Sequence, residues 1–272
     1  MRHLLDATET AVREVGALLR ARQPAEPLDA ATPAEALAAF ERYDRPAAAL
    51  LRERLGALRP QAGWWGDEWA REVPAAGEWW VCDATDGAVQ YLSALPQWAV
   101  TATLLRDGAP VLAVVHAPLL GATYTACAGG GTRLDGVPCA PRARSLATAV
   151  AATSQPPGAA GDPAALRAAG ASLAAVLPHV PAVRNLGPTA LQAAQVGSGH
   201  LTLFWQYGAD PANLLPGALL AAEAGAAVTD AEGRPWTPGA ASFVAAAPGA
   251  HADLLRVLRA VGTPEQEGAK RM

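Results

Sequence analysis

Apolar residues at the start of the chain recur three, four and seven positions apart: Leu4, Leu5, Val12, Val15, Leu18 and Leu19. That spacing gathers them on one face of a helix. An amphipathic first helix is predicted over residues 3–22, ended by QPAEP. A second helical pattern, carrying Leu37, Phe40, Leu50, Leu51, Leu55 and Leu58, runs from about Pro33 to Leu58. Pro46 lies inside it, and a proline has no N–H and crowds the preceding turn, so a break or fresh start is expected near Asp44. From Trp79 to Val137 the period shortens. WWVC, WAVTATLL, PVLAVVH and ATYTACA are short apolar runs separated by RDG and glycine punctuation, which predicts a largely antiparallel sheet. After Pro141 strand and helix alternate. Helices are predicted near 163–170, 188–197, 214–225 and 249–260, with strands at 201–205, 226–229 and 242–246. The chain therefore reads as an α+β or layered α/β protein with an N-terminal half, 1–141, and a C-terminal half, 142–272. SQPPGAAGDP, at 154–163, is expected to be a surface loop.

Composition narrows the function classes. With 51% hydrophobic and 17% charged residues over 272 positions, the chain can bury a large core. A net charge of -4 with scattered basic residues argues against nucleic acid as a partner. Three cysteines without CxxC spacing suggest neither a disulfide framework nor a zinc site, which fits a reducing cytoplasm. No apolar run is long enough to span a membrane, and charges threaded through the first residues do not read as a signal peptide.

The candidate chemistry is carboxylate chemistry. Asp44 lies on the second predicted helix, Asp67 and Glu68 in WWGDEW, and Asp83 and Asp86 in WWVCDATDGAVQYL. An Asp-Gly segment after an apolar run can be a strand-ending turn and nothing more. Carboxylates converging from separate segments instead need a cation, and oxygen donors without His or Cys favour Mg²⁺ and phosphoryl transfer. Asn213 is placed to serve as the N-cap of the helix predicted at 214–225.

The order of motifs adds to this. A helix Asp is followed by GDE, WVCDATDG, PQWAVTATLLRDG and GGGTRLDGVP, then LGPTALQAAQVGSGHLTLFW and ADPANLLPGALLAAEAGAAVTDAEGRP. This succession, over about residues 30–248, resembles the inositol monophosphatase family. The resemblance implies a layered α-β-α-β-α sandwich and a Mg²⁺-dependent, homodimeric phosphatase of a small phosphate monoester such as a sugar, cyclitol or nucleotide-derived phosphate. It places metal ligands at Asp67, Asp83, the Thr85 carbonyl, Asp86 and Asn213. Asp44 and Asp67 become the catalytic acids, Asp44 orienting the attacking water. Gly87, Ala88, Gly187, Pro188, Thr189 and Gln206 fall on the substrate side.

Departures from the family's pattern define an alternative. Ala88 stands where the family has a water-orienting Thr, Asn213 where it has Asp, and Asp67 where it has Glu. A divergent member that keeps the scaffold for binding, or for another reaction in the same cleft, is the second expectation. Of the tryptophans, most are expected in the core, with Trp65 or Trp69 available as an apolar wall for a substrate. His116, His179 and His200 are expected to be structural or surface residues. The GGG at 129–131 lacks a following Lys-Ser/Thr and is read as a turn between strands rather than a phosphate loop.

Overall fold

The computed structural model describes residues 1–66, 72–155 and 161–260. Two sheets organise them. The first has seven strands in chain order: β1 (Gly63–Trp65), β2 (Glu78–Asp86), β3 (Ala99–Arg106), β4 (Ala109–Ala117), β5 (Ala122–Cys127), β6 (Thr132–Leu134) and β7 (Val137–Pro138). Every neighbouring pair is antiparallel except β1 with β2. The second is mixed, with strands in the order β11 (Ala227–Thr229), β12 (Ser242–Ala246), β10 (Leu203–Tyr207), β8 (Val150–Thr153) and β9 (Ala182–Arg184).

Helices fill the three remaining layers. α1 (Arg2–Arg22) and α2 (Pro33–Leu58) cover the outer face of the first sheet, and α4 (Pro163–Val176) and α7 (His251–Ala260) the outer face of the second. α5 (Thr189–Gly197) and α6 (Pro211–Glu223) lie between the sheets. The strands distribute their side chains with period two. In β3, Val100, Ala102 and Leu104 join the core under α1 and α2, while Ala99 joins the one under α5 and α6. In β10, Leu203 and Trp205 face outward to α7 and Phe204 inward. The order is thus the expected α-β-α-β-α sandwich.

The Ala-rich composition is explained by the middle layer. A helix pressed between two sheets is apolar all round and must be slender. α5 packs Ala190, Leu191 and Ala194 on the first sheet and Ala193 and Val196 on the second. At Gly217 of α6 an added Cβ would come within 2.5 Å of the Ala193 Cβ, so only glycine allows this approach.

Several boundaries differ from expectation. α2 runs unbroken through Pro46 because Ala39, Ala47, Leu51 and Leu55, on both sides of the proline, are buried on the core face. Asp44 therefore sits in continuous helix. α4 extends to Val176 and α6 begins at Pro211, three residues before the predicted start. A short helix, α3 (Ala88–Leu92), and strands β8 and β9 were not evident in the pattern. The glycine run at 129–131 is a turn between β5 and β6, as expected, and the backbone N–H groups of Gly129 and Gly131 donate to the Glu223 carboxylate at 2.8 and 3.0 Å. That contact ties the first sheet to the end of α6. Residues 67–71, with Asp67, Glu68 and Trp69, and residues 156–160 of the loop expected at 154–163 lie outside the described residues. Among the described residues no helix is long and apolar enough to cross a membrane.

Candidate active site

The site begins with an irregularity in β2. Asp83 pairs with Thr101 and Asp86 with Ala99, so three steps along β2 match two along β3. Residues three apart on a regular strand point to opposite faces, and one extra residue cancels that difference. The bulge thus turns Asp83 and Asp86 to the same face, the one Ala99 presents to α5 and α6. Ala84, in contrast, packs into the core under α1 and α2. The Asp83 Oδ1 accepts from the Thr85 N–H at 2.8 Å, which fixes the bulge locally. Gly87 follows at φ 97°, a left-handed geometry that glycine adopts without strain, and starts α3 at Ala88.

Asp44 approaches from α2. Burial pushes its carboxyl above the ordinary carboxylate pKa, and the nearby Thr85 hydroxyl draws it partway back. That hydroxyl is buried and makes no hydrogen bond of ordinary geometry.

The opposite wall is the start of α6. Asp83 and Asn213 line one cavity of about 50 Å³, with Trp65, Val81 and Ala212 as its apolar surface. Gly66, which directly precedes the undescribed Asp67, lines it too. Asn213 is not the N-cap; that place belongs to Asp210, with Pro211 as the first helical residue. Asp210 is the residue the sequence reading missed, although Asp before Pro at a helix start is a recognisable capping signal. It is buried, and its two carboxylate oxygens accept from the Asn213 Nδ2 and the Gln206 Nε2, both at 2.8 Å. Burial pushes its pKa up and these hydrogen bonds oppose the shift.

The remaining residues fall into two groups. Gln206 and Thr189 belong to a buried network behind Asn213. The Thr189 hydroxyl donates to the Gln206 Oε1 at 3.0 Å and pairs with Ser154 at 3.2 Å. Gly87 and Gly187 lie against the side chain of Gln90, whose Nε2 donates to the Leu186 carbonyl at 3.1 Å, and Ala88 opens α3. A Cβ on Gly187 would meet that amide at 2.4 Å. Gln90 therefore joins α3 to the segment before α5, a role not read from its place in WWVCDATDGAVQYL. Trp80, Trp98 and Trp205 are fully buried. His116 is a core residue hydrogen-bonded to Thr123 at 2.9 Å, and burial lowers its pKa to about 4.

Comparison with known proteins decides the family. A sequence profile described as the inositol monophosphatase family matches residues 1–263. The chain belongs to the inositol monophosphatase family. It is 33% identical over 204 residues to inositol-1-monophosphatase ImpA of Mycolicibacterium smegmatis, covering 74% of this chain and 73% of that one. An inositol-1-monophosphatase of Rhizobium meliloti is 33% identical over 193 residues, 70% of this chain and 71% of its own. Among solved structures, inositol monophosphatase from Anabaena superposes with a TM-score of 0.82 at 21% identity, over 97% of this chain and 98% of that one. SuhB of Mycobacterium tuberculosis gives 0.78 at 28% identity, over 96% and 98%. The layered architecture is thus shared with these solved structures over 96–97% of the chain.

Proposed function

We propose that the chain is a Mg²⁺-dependent phosphatase of small phosphate monoesters, working where β2 meets the start of α6. One observation carries the reading: the β2 bulge turns Asp83 and Asp86 to one face, and Asp83 shares a small cavity with Asn213. The donors fit Mg²⁺. Asp83, Asp86, the Thr85 carbonyl and the Asn213 carboxamide are all hard oxygen ligands. Among the described residues no three His, Cys, Asp or Glu side chains group as a metal site. The chemistry such an ion supplies is charge neutralisation at phosphate oxygens and acidification of water.

The chain's own residues do the rest. Asp44, partly desolvated on α2 beside the Thr85 hydroxyl, holds the attacking water and accepts its proton. The backbone N–H groups at the start of α3 have no partner within the helix and are available to phosphate oxygens at Gly87 and Ala88. Trp65 and Ala212 give the cavity an apolar side, which suits a leaving group less polar than a polyol. A second reading, binding without hydrolysis, draws on Ala88, whose methyl group opens α3 where a hydroxyl would help to orient water. The test is phosphate release from a panel of sugar, cyclitol and nucleotide monophosphates with Mg²⁺. Release by the wild type favours the first reading; release only after Ala88→Thr favours the second.

A further inference from the structure

Asp210 is a buried carboxylate with no direct place in the cavity, yet both of its oxygens are used. One accepts from the Asn213 amide and the other from the Gln206 amide, each at 2.8 Å. A carboxamide is planar, with its NH₂ and its oxygen diverging from one carbon. With Nδ2 turned back to Asp210, Asn213 keeps its Oδ1 as the side-chain atom for the cavity it shares with Asp83. Gln206 is fixed in the same sense, its Nε2 on Asp210 and its Oε1 on the Thr189 hydroxyl at 3.0 Å. Only an acceptor at both oxygens satisfies two NH₂ groups at once.

We propose that Asp210 is a positioning residue for the metal cleft. It locks Asn213 with its oxygen toward the cavity and sets a negative charge three residues behind a ligand that carries none. The proposal rests on the Mg²⁺-dependent reading above. A charge buried in the same low-dielectric wall acts on a cation through protein rather than water, so it need not touch the ion to favour it.

The test is Mg²⁺ titrated by calorimetry into metal-free protein, with thermal melting of each metal-free variant alongside. Asp210→Asn cannot accept from both amides, so one of them must turn. Its Mg²⁺ affinity is expected to fall about 10- to 100-fold, as is typical when a ligand's outer partner is removed. In the Asn213→Ala background the same change is expected to cost clearly less, because the part of its effect that runs through the Asn213 contact is gone and only that of its charge remains. Asp210→Asn with Asn213→Asp exchanges carboxylate and carboxamide between two positions already in contact, and is expected to recover most of the affinity. A purely structural Asp210 would lower melting without this recovery. Equal affinity of Asp210→Asn and wild type, or no recovery in the exchanged pair, overturns the proposal. If Asp210→Asn does not fold, Asn213→Asp alone decides. Two carboxylates would then face each other, so metal-free melting should drop and Mg²⁺ should restore it; unchanged melting overturns the contact. Absence of Mg²⁺ binding by the wild type would overturn the phosphatase reading itself, a different result from a silent Asp210 variant.

Discussion

The two walls of the cleft obtain the same kind of surface by different means. On β2 the backbone does the work, since one extra residue turns two carboxylates directly to the cavity face. On α6 the helix geometry is regular, and the carboxylate sits behind at Asp210 while a neutral carboxamide stands in front. Charge on the first wall is exposed to the ligand and depends on a local fold. Charge on the second is buried and depends on a hydrogen-bond network reaching to Thr189 and Ser154. The first wall should therefore govern whether an ion binds, and the second how tightly and in what geometry.

The largest effect should come from breaking the first wall. Asp83→Asn is expected to lower Mg²⁺ affinity at least about 100-fold, beyond the ~10–100-fold typical of outer partners, without loss of metal-free stability. Calorimetry and melting read both. Asp44→Asn should leave Mg²⁺ affinity intact and lower kcat about 100-fold or more, the usual contribution of a positioned base. Ala88→Thr should raise kcat about 10- to 100-fold by restoring an oriented hydroxyl, with little change in KM. On the second wall Asn213→Ala should weaken Mg²⁺ about 10- to 100-fold, no less than Asp210→Asn and less than the loss from Asp83. If Asn213→Ala costs more than Asp83→Asn, the ranking of the walls is reversed.

The smallest effect is in pH dependence, and it separates cleft from core. Asp44 and Asp210 have pKa values raised in the folded chain, so folding binds protons and their contribution to stability declines as pH rises above the ordinary carboxylate range. His116 runs the other way. Its pKa is lowered to about 4 from 6.5, so the unfolded chain takes up a proton that the native one refuses. The stability it supports is present above pH 6.5 and is lost as pH falls toward 4. His116→Gln should flatten melting temperature on the acid side without altering Mg²⁺ affinity.

Much of this was legible in the sequence. Among the described residues six of the seven α-helices and the long antiparallel strands were foreseen, α1 and α2 from a one-sided apolar stripe and α5 and α6, which are buried on both sides, from their apolar runs. Pro46 misled because local helix preference was outweighed by Leu51 and Leu55 packing beyond it. β8 and β9 were missed because their residues, Val-Ala-Ala-Thr and Ala-Val-Arg, are too short and too Ala-rich to alternate visibly. At the site, Asp83 and Asp86 stood out as a motif, but their three-residue spacing would have split them between faces without the bulge. Asp210 stayed hidden although its partners are near in sequence, Gln206 four residues before it and Asn213 three after, because α6 was expected to start only at 214, which left Asp210 in a loop. Gln90 was hidden for a different reason, since its bridge to Leu186 spans 96 positions.

The central claim is tested most directly by phosphate release from small phosphate monoesters, measured with and without Mg²⁺ for the wild type and Asp83→Asn. The account predicts release that requires Mg²⁺ and disappears in Asp83→Asn. Release that is independent of Mg²⁺, or that survives in Asp83→Asn at the wild-type rate, would contradict it.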